Sequence, residues 1–153
     1  ILLLALLLMS GPVFATVIPE TEDPLAGSQL SLKPVYNNAS ATLSVGDVVV
    51  WDISNSTGDD DNYVTTTTTG DTALVAGVVY RNSIADGAVG YIVVNGVVPV
   101  NVYNGGQTVN GPLCTSTVAG KARSCLNNDQ AFGFVTTAVD STGQANTYVK
   151  NLN

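Results

Sequence analysis

The stretch Ala88-Val89-Gly90-Tyr91-Ile92-Val93-Val94-Asn95-Gly96-Val97-Val98-Pro99-Val100-Asn101-Val102 decides the fold class. Both halves are β-branched or aromatic, the residue types that suit a pleated, half-buried surface. Neither half places its apolar residues at helical spacing. Asn-Gly between two such runs is the strongest short-range hairpin signal, because both residues accept the positive φ of a tight turn. The stretch therefore predicts two antiparallel strands, 88–94 and 97–102, joined at Asn95-Gly96.

Working outward, the same grammar recurs. Ala41-Thr42-Leu43-Ser44-Val45 alternates polar and apolar, and Asp47-Val48-Val49-Val50-Trp51-Asp52 reads as a buried strand. Tyr63-Val64 with Thr65 to Thr69 makes a further strand, as does the run 72–80. Strands are also predicted near 111–116, 131–139 and 146–150. No window after residue 35 carries a sustained helical stripe. Short strands at close spacing with polar turns predict an all-β chain: a single small β-sandwich or β-barrel domain, spanning 35–153 and preceded by an extended N-terminal arm.

The chain has 153 residues, 45% hydrophobic and 11% charged. That balance excludes intrinsic disorder. Twelve acidic against five basic residues give a net charge of -7, which argues against a nucleic-acid partner because phosphate would be repelled. There is no histidine, which removes the commonest general base and most transition-metal sites. The strand surfaces must then be Thr, Ser, Asn and Gly, a neutral lining that neighbouring copies can cover at low side-chain entropy cost.

Residues 1–15, ILLLALLLMSGPVFA, have the layout of a signal peptide cleaved after Ala15: an apolar core, a Gly-Pro break, then small residues. The alternative is a retained hydrophobic segment for assembly or anchoring, the only membrane contact the sequence offers. The run is too short to span a bilayer. Residues 16–34 hold Pro19, Pro24 and Pro34 and read as an extended arm. The arm is either a flexible leader or a strand donor to a neighbouring subunit through Val17, Ile18, Leu25, Leu30 and Leu32. Cys114 and Cys125 form an even count in an exported chain, which favours a disulfide.

Candidate chemistry is sparse. Asp59-Asp60-Asp61 is either a solvated hairpin tip or a calcium site; calcium is the one cofactor the sequence admits, since hard cations take oxygen ligands. Asn38-Ala39-Ser40 and Asn55-Ser56-Thr57 match the N-glycosylation pattern at Asn38 and Asn55. Both glutamates lie in the arm, and Asp47, Asp71 and Asp86 sit beside glycines, where Asp serves turn geometry. Asp140-Ser141-Thr142-Gly143 has one residue too many for an aspartic-protease signature. No catalytic set emerges. Trp51, central in an apolar run, reads as core, with a sugar platform as its alternative.

Several blocks then stand in a recurrent order: Gly46-Asp47-Val48-Val49, Gly77-Val78-Val79, Gly96-Val97-Val98-Pro99-Val100, Gly111-Pro112-Leu113-Cys114-Thr115-Ser116, Gly120-Lys121-Ala122 and Phe132-Gly133-Phe134. Over residues 40–150 this resembles the small β domains of phage virion-surface proteins of head-decoration and tail-fibre type. The resemblance implies a compact β barrel or sandwich, assembled in multiple copies and without a catalytic site. The export-like leader and the Cys114/Cys125 pair depart from it. The expectation is an exported, non-enzymatic structural protein, secreted or at the cell surface, whose partner is itself in a filament or coat. The alternatives are a virion decoration or tail protein and a secreted carbohydrate-binding module.

Overall fold

The predicted hairpin at Asn95-Gly96 does not form. In the computed structural model, which describes residues 29–54, 62–104, 106–126 and 130–150, one strand runs straight through it, Val89–Asn101. The hairpin rule fails because each half of this strand finds better partners than the other half. The first half pairs antiparallel with Ser31–Asn37 and with Val75–Val79, and the second half pairs along its length with Gln144–Val149. Gly96 still takes the positive φ its sequence promised, 116°, but uses it to kink the strand rather than reverse it. The register against Ser31–Asn37 slips by one residue beside this kink, so Val94 is an extra residue in the ladder. A one-residue slip exchanges the two faces of a strand. Ile92 and Val94 accordingly point into one core, while Val93, Val98 and Val100 belong to another.

The described residues form nine strands: β1 Ser31–Asn37, β2 Val48–Trp51, β3 Tyr63–Thr65, β4 Val75–Val79, β5 Val89–Asn101, β6 Pro112–Thr115, β7 Ala122–Ser124, β8 Gly133–Val135 and β9 Gln144–Val149. Among the described residues there is no α-helix. The sequence β1-β3-β2-β4-β5 closes on itself through the β1–β5 pairing, making a five-stranded barrel. All its pairings are antiparallel except β1–β3. Its interior holds Val35, Leu43, Val49, Val64, Ala76, Val79, Ile84, Ile92 and Val94. The remaining strands continue from β5 as β5-β9-β8-β6-β7. This second sheet curls back until Ala122 of β7 bridges Val102, just past the end of β5. Its core is formed by Val98, Val100, Leu113, Phe132, Val135, Ala145 and Val149, packed on Val48, Val75, Val78 and Val93 from the outer wall of the barrel. The strand β5 is thus a wall of both halves.

Gly77 makes the shared wall thin enough. A Cβ there would stand 2.5 Å from the Val93 carbonyl oxygen, so any side chain would force β4 and β5 apart. Polar groups lock the seam. The Asp47 carboxylate accepts from the Ser44 amide (2.8 Å) and from Asn101 Nδ2 (2.8 Å). Asn101 Nδ2 also donates to the Val45 carbonyl, and Gln144 Nε2 donates to Asn101 Oδ1. This chain ties the turn before β2 to β5 and β9. Inside the barrel, fully buried Asn37 donates to the Ala41 and Ile84 carbonyls and accepts from the Ala39 amide, satisfying its whole side chain.

Two readings of the chain shift. The arm predicted over 16–34 ends earlier, since Ser31 to Pro34 are the first residues of β1 and close this chain's own barrel. Pro34 is tolerated because its missing N–H lies on the side of β1 where Tyr36 donates to Asn62, and β3 pairs only with Tyr36 and Asn37, so no ladder bond is lost at Pro34. The strand predicted over 41–45 is reduced to a single bridge, Leu43 to Ile84.

Candidate assembly surface

Strand alternation normally sends polar residues to the solvent face. On β1, Val35 and Asn37 point inward, leaving Leu32, Pro34 and Tyr36 outward. On the first half of β5, Val89 and Tyr91 face outward, 68% and 56% exposed. Register brings these together: Tyr36 lies opposite Val89, and Pro34 opposite Tyr91. Tyr63 of β3 completes the face, its ring 4.9 Å from that of Tyr36 and tilted by 58°. A shallow depression lies among Pro34, Tyr36, Asn62, Tyr63 and Val89. The face is thus apolar and aromatic where strand alternation normally places polar residues.

A second, narrower apolar row crosses the other sheet. Val97 of β5 pairs with Tyr148 of β9, Tyr148 with Phe134 of β8, and Phe134 with Pro112 of β6. Phe134 and Tyr148 are exposed, and the Tyr148 hydroxyl reaches Asn95 Oδ1 at 3.3 Å.

The charge is distributed unevenly along the sequence. All five basic residues, Lys33, Arg81, Lys121, Arg123 and Lys150, lie among the described residues, as do five acids, Asp47, Asp52, Asp71, Asp86 and Asp140. The described residues thus hold equal numbers of acids and bases, while Asp59–Asp61 and Asp129 fall in the sequence between β2 and β3 and between β7 and β8. The whole of the net -7 resides in Glu20, Glu22, Asp23, Asp59, Asp60, Asp61 and Asp129, outside the described residues.

Most of these aspartates have structural partners. Asp71 pairs with Arg123 at 3.0 Å. Asp52 accepts from the Ser54 hydroxyl and the Asn38 amide, which hold its carboxyl below the ordinary value of 3.8. Asp140 is likewise held low, first by the Thr142 hydroxyl and then by the Gln144 backbone amide, as the anchor of the turn before β9. The turn roles read from Asp47 and Asp71 are visible here.

Cys114 of β6 and Cys125, just beyond β7, form a disulfide with Cα atoms 4.9 Å apart. Asp71 is close to both sulfurs, but sulfurs bonded to each other are not free to ligate a metal. Asn38 is exposed and its amide donates to Asp52 at 2.6 Å. Leu30 packs against the second core and against Gly96, and Leu32 lies in the outer face of β1. Val17, Ile18, Leu25, Asn55, Asp59, Asp60, Asp61 and residues 1–15, read above as a signal peptide, lie outside the described residues. Trp51 is half-buried at the barrel core, with Lys33 Nζ 4.4 Å above its ring. The structure thus packs it against the margin of the barrel core beneath a cationic cap.

No family model matches the chain, and no curated protein matches it. Solved structures do. The N base of head fiber gp8.5 in bacteriophage phi29 aligns with a TM-score of 0.53 at 16% identity, over 82% of this chain and 97% of that one. A chain from the capsid of Myoviridae phage XM1 aligns with a TM-score of 0.57 at 12% identity, over 83% of this chain and 87% of that one. The fold is shared with phage virion proteins. At these identities the likeness is one of architecture, and it agrees with the resemblance carried by the glycine-punctuated blocks. This chain spans nearly the whole head-fibre base. The apolar face of β1 and β5 was not evident in the sequence, because Pro34 disguised β1 as arm. Its period-2 alternation, Leu32 and Pro34 and Tyr36 against Val35 and Asn37, was the available signal.

Proposed function

We propose that this protein is a non-enzymatic structural module of a virion exterior, seated in multiple copies through the outer face of its barrel. The observation that carries the reading is the outward face of Leu32, Pro34, Tyr36, Tyr63, Val89 and Tyr91, apolar or aromatic throughout. The face offers apolar area at about 25 cal/mol per Å² buried, which works against the mutual repulsion of copies that each carry a net charge of -7. The architecture shared with a head-fibre base and a capsid protein supports the same reading. The structural employment of Asp47, Asp52, Asp71 and Asp140 supports a role without catalysis. Residues 16–28 precede the barrel and would supply any reach to a neighbour, since β1 is already engaged within the chain.

Sedimentation velocity over a concentration series tests this. The full chain is expected to associate, and Val89→Lys with Tyr91→Lys to remain folded and monomeric. Undiminished association of that double variant places the contact elsewhere.

One observation favours a second reading, an exported surface or filament subunit: the Cys114–Cys125 disulfide belongs to an oxidising compartment. Amino-terminal sequencing of the mature protein separates the two. A start at Thr16 supports export, and an intact 1–15 segment supports the virion reading.

A further inference from the structure

Among the described residues one group of donors is close enough to share a single cation. It consists of the Asp71 carboxylate and the sulfurs of Cys114 and Cys125, each offering an atom within 4.8 Å of the others. The chain does not announce it, because Asp71 is far from both cysteines in sequence; the fold makes the juxtaposition. The Asp71 amide donates to the Thr115 carbonyl at 3.2 Å, and the Thr72 amide to Thr115 Oγ1 at 2.9 Å. Thr115 Oγ1 in turn donates to the Thr69 carbonyl at 2.9 Å. The 69–72 turn is thereby clamped onto the residue that follows Cys114. Asp71 is held there at a φ of 55°, a region that side chains other than glycine adopt at a cost. Arg123 of β7 steadies the carboxylate from the other side, through Oδ2 at 3.0 Å. Cys114 is buried, whereas Asp71 and Cys125 are partly exposed and give access from that side.

The sulfurs can ligate only when the bond between them is open. Exchange with two molecules of a low-molecular-weight thiol leaves two protein thiols and one small disulfide. Such thiols keep cysteines reduced in a cytosol. Two thiolates and a carboxylate are a ligand set for zinc-like cations and a poor one for calcium or magnesium. A tetrahedral ion with bonds of about 2.0–2.3 Å spaces its donors about 3.5–3.8 Å apart, within the reach of these three. The guanidinium of Arg123 competes for the carboxylate, but it also balances the charge. With a divalent ion, two thiolates, one carboxylate and one guanidinium, the closed site is neutral. We propose that the reduced form of this chain binds one thiophilic divalent cation, of the zinc class, through Cys114 Sγ, Cys125 Sγ and the Asp71 carboxylate, with water in the fourth position. The two thiol protons leave to solvent as the metal–sulfur bonds form. Disulfide and metal are then alternative cross-links between β6 and the end of β7.

The test is a titration of the full chain with Co²⁺ after reduction by a phosphine, which is itself oxidised to its oxide. One Co²⁺ per chain is expected, with a thiolate-to-cobalt charge-transfer band and tetrahedral visible bands that Zn²⁺ abolishes. The oxidised chain should stay colourless. Asp71→Asn should weaken binding by at least about tenfold, the loss that even an outer-shell partner costs. Cys125→Ser, which like the reduced parent has no disulfide, should lose about half of the charge-transfer intensity, since one of two thiolates is gone. Because Asp71→Asn also breaks the ion pair with Arg123, hydrogen exchange of the parent gives a second readout. Zn²⁺ should slow exchange in β6 and β7 of the reduced chain back toward that of the oxidised chain, since a ligand of the closed form stabilises it. The proposal is overturned if the reduced parent takes up no cobalt, if Asp71→Asn binds as tightly as the parent, or if Zn²⁺ leaves exchange in β6 and β7 unchanged.

Discussion

The two halves of the molecule share a strand but are held by different means. The barrel is a closed ring in which each of five strands has a partner on both sides over part of its length, and its interior is aliphatic apart from the fully satisfied Asn37. The second sheet ends at the three-residue strand β7 and returns to β5 by a single bridge at Val102–Ala122. It is here that the disulfide, the Asp71–Arg123 ion pair and the Asp140 turn are found. Closure makes a small barrel self-sufficient, whereas an incompletely closed sheet needs cross-links to hold its last strands. The barrel, needing no such devices, leaves its outer face free to be apolar.

Core truncation offers the hardest test of this contrast. Phe132→Ala removes the largest fully buried side chain of the second core and should cost about 3–5 kcal/mol, and Leu43→Ala in the barrel about 2–5 kcal/mol. Because β5 walls both cores, each variant should unfold in one transition by calorimetry. Two separated transitions would show the halves to be independent.

Reducing the disulfide should have a smaller and local effect. For a separation of 11 residues the loss is about 2–3 kcal/mol on the chain-entropy model. Hydrogen exchange should quicken in β6 and β7 while β1, β4 and the first half of β5 stay protected. Equal quickening in the barrel would erase the distinction drawn between the halves.

The smallest effect is in acid. Asp52 and Asp140 have folded-state values below 3.8, so the unfolded chain binds more protons in that window. Their contribution is present above the unfolded value and is lost as pH falls through the folded ones. Urea midpoints measured from about pH 5 down to about pH 2 should decline, and Asp52→Asn with Asp140→Asn should flatten the decline. An unchanged slope in the double variant would assign the acid sensitivity to other carboxyls.

Much of the architecture was legible in the sequence, for identifiable reasons. Val48–Trp51 and Val75–Val79 are short β-branched runs, and such runs have little alternative to a buried strand. Asp47 beside Gly46 announced a turn, and the turn is there, its carboxylate also reaching Asn101. What escaped depends on partners distant in the chain. Asn95-Gly96 is a hairpin by local preference, but pairing with β1, β4 and β9 outweighs one turn. Pro34 hid β1, because a proline is harmless only on the unpaired side of a strand, and which side of β1 is unpaired is known only from the assembled barrel.

Electron cryo-microscopy of particles assembled from the full chain tests the central claim most directly. Neighbouring copies should meet on Leu32, Pro34, Tyr36, Val89 and Tyr91, with those side chains buried between barrels. Assemblies in which that face stands bare to solvent, or a chain that stays monomeric at every concentration, would contradict it.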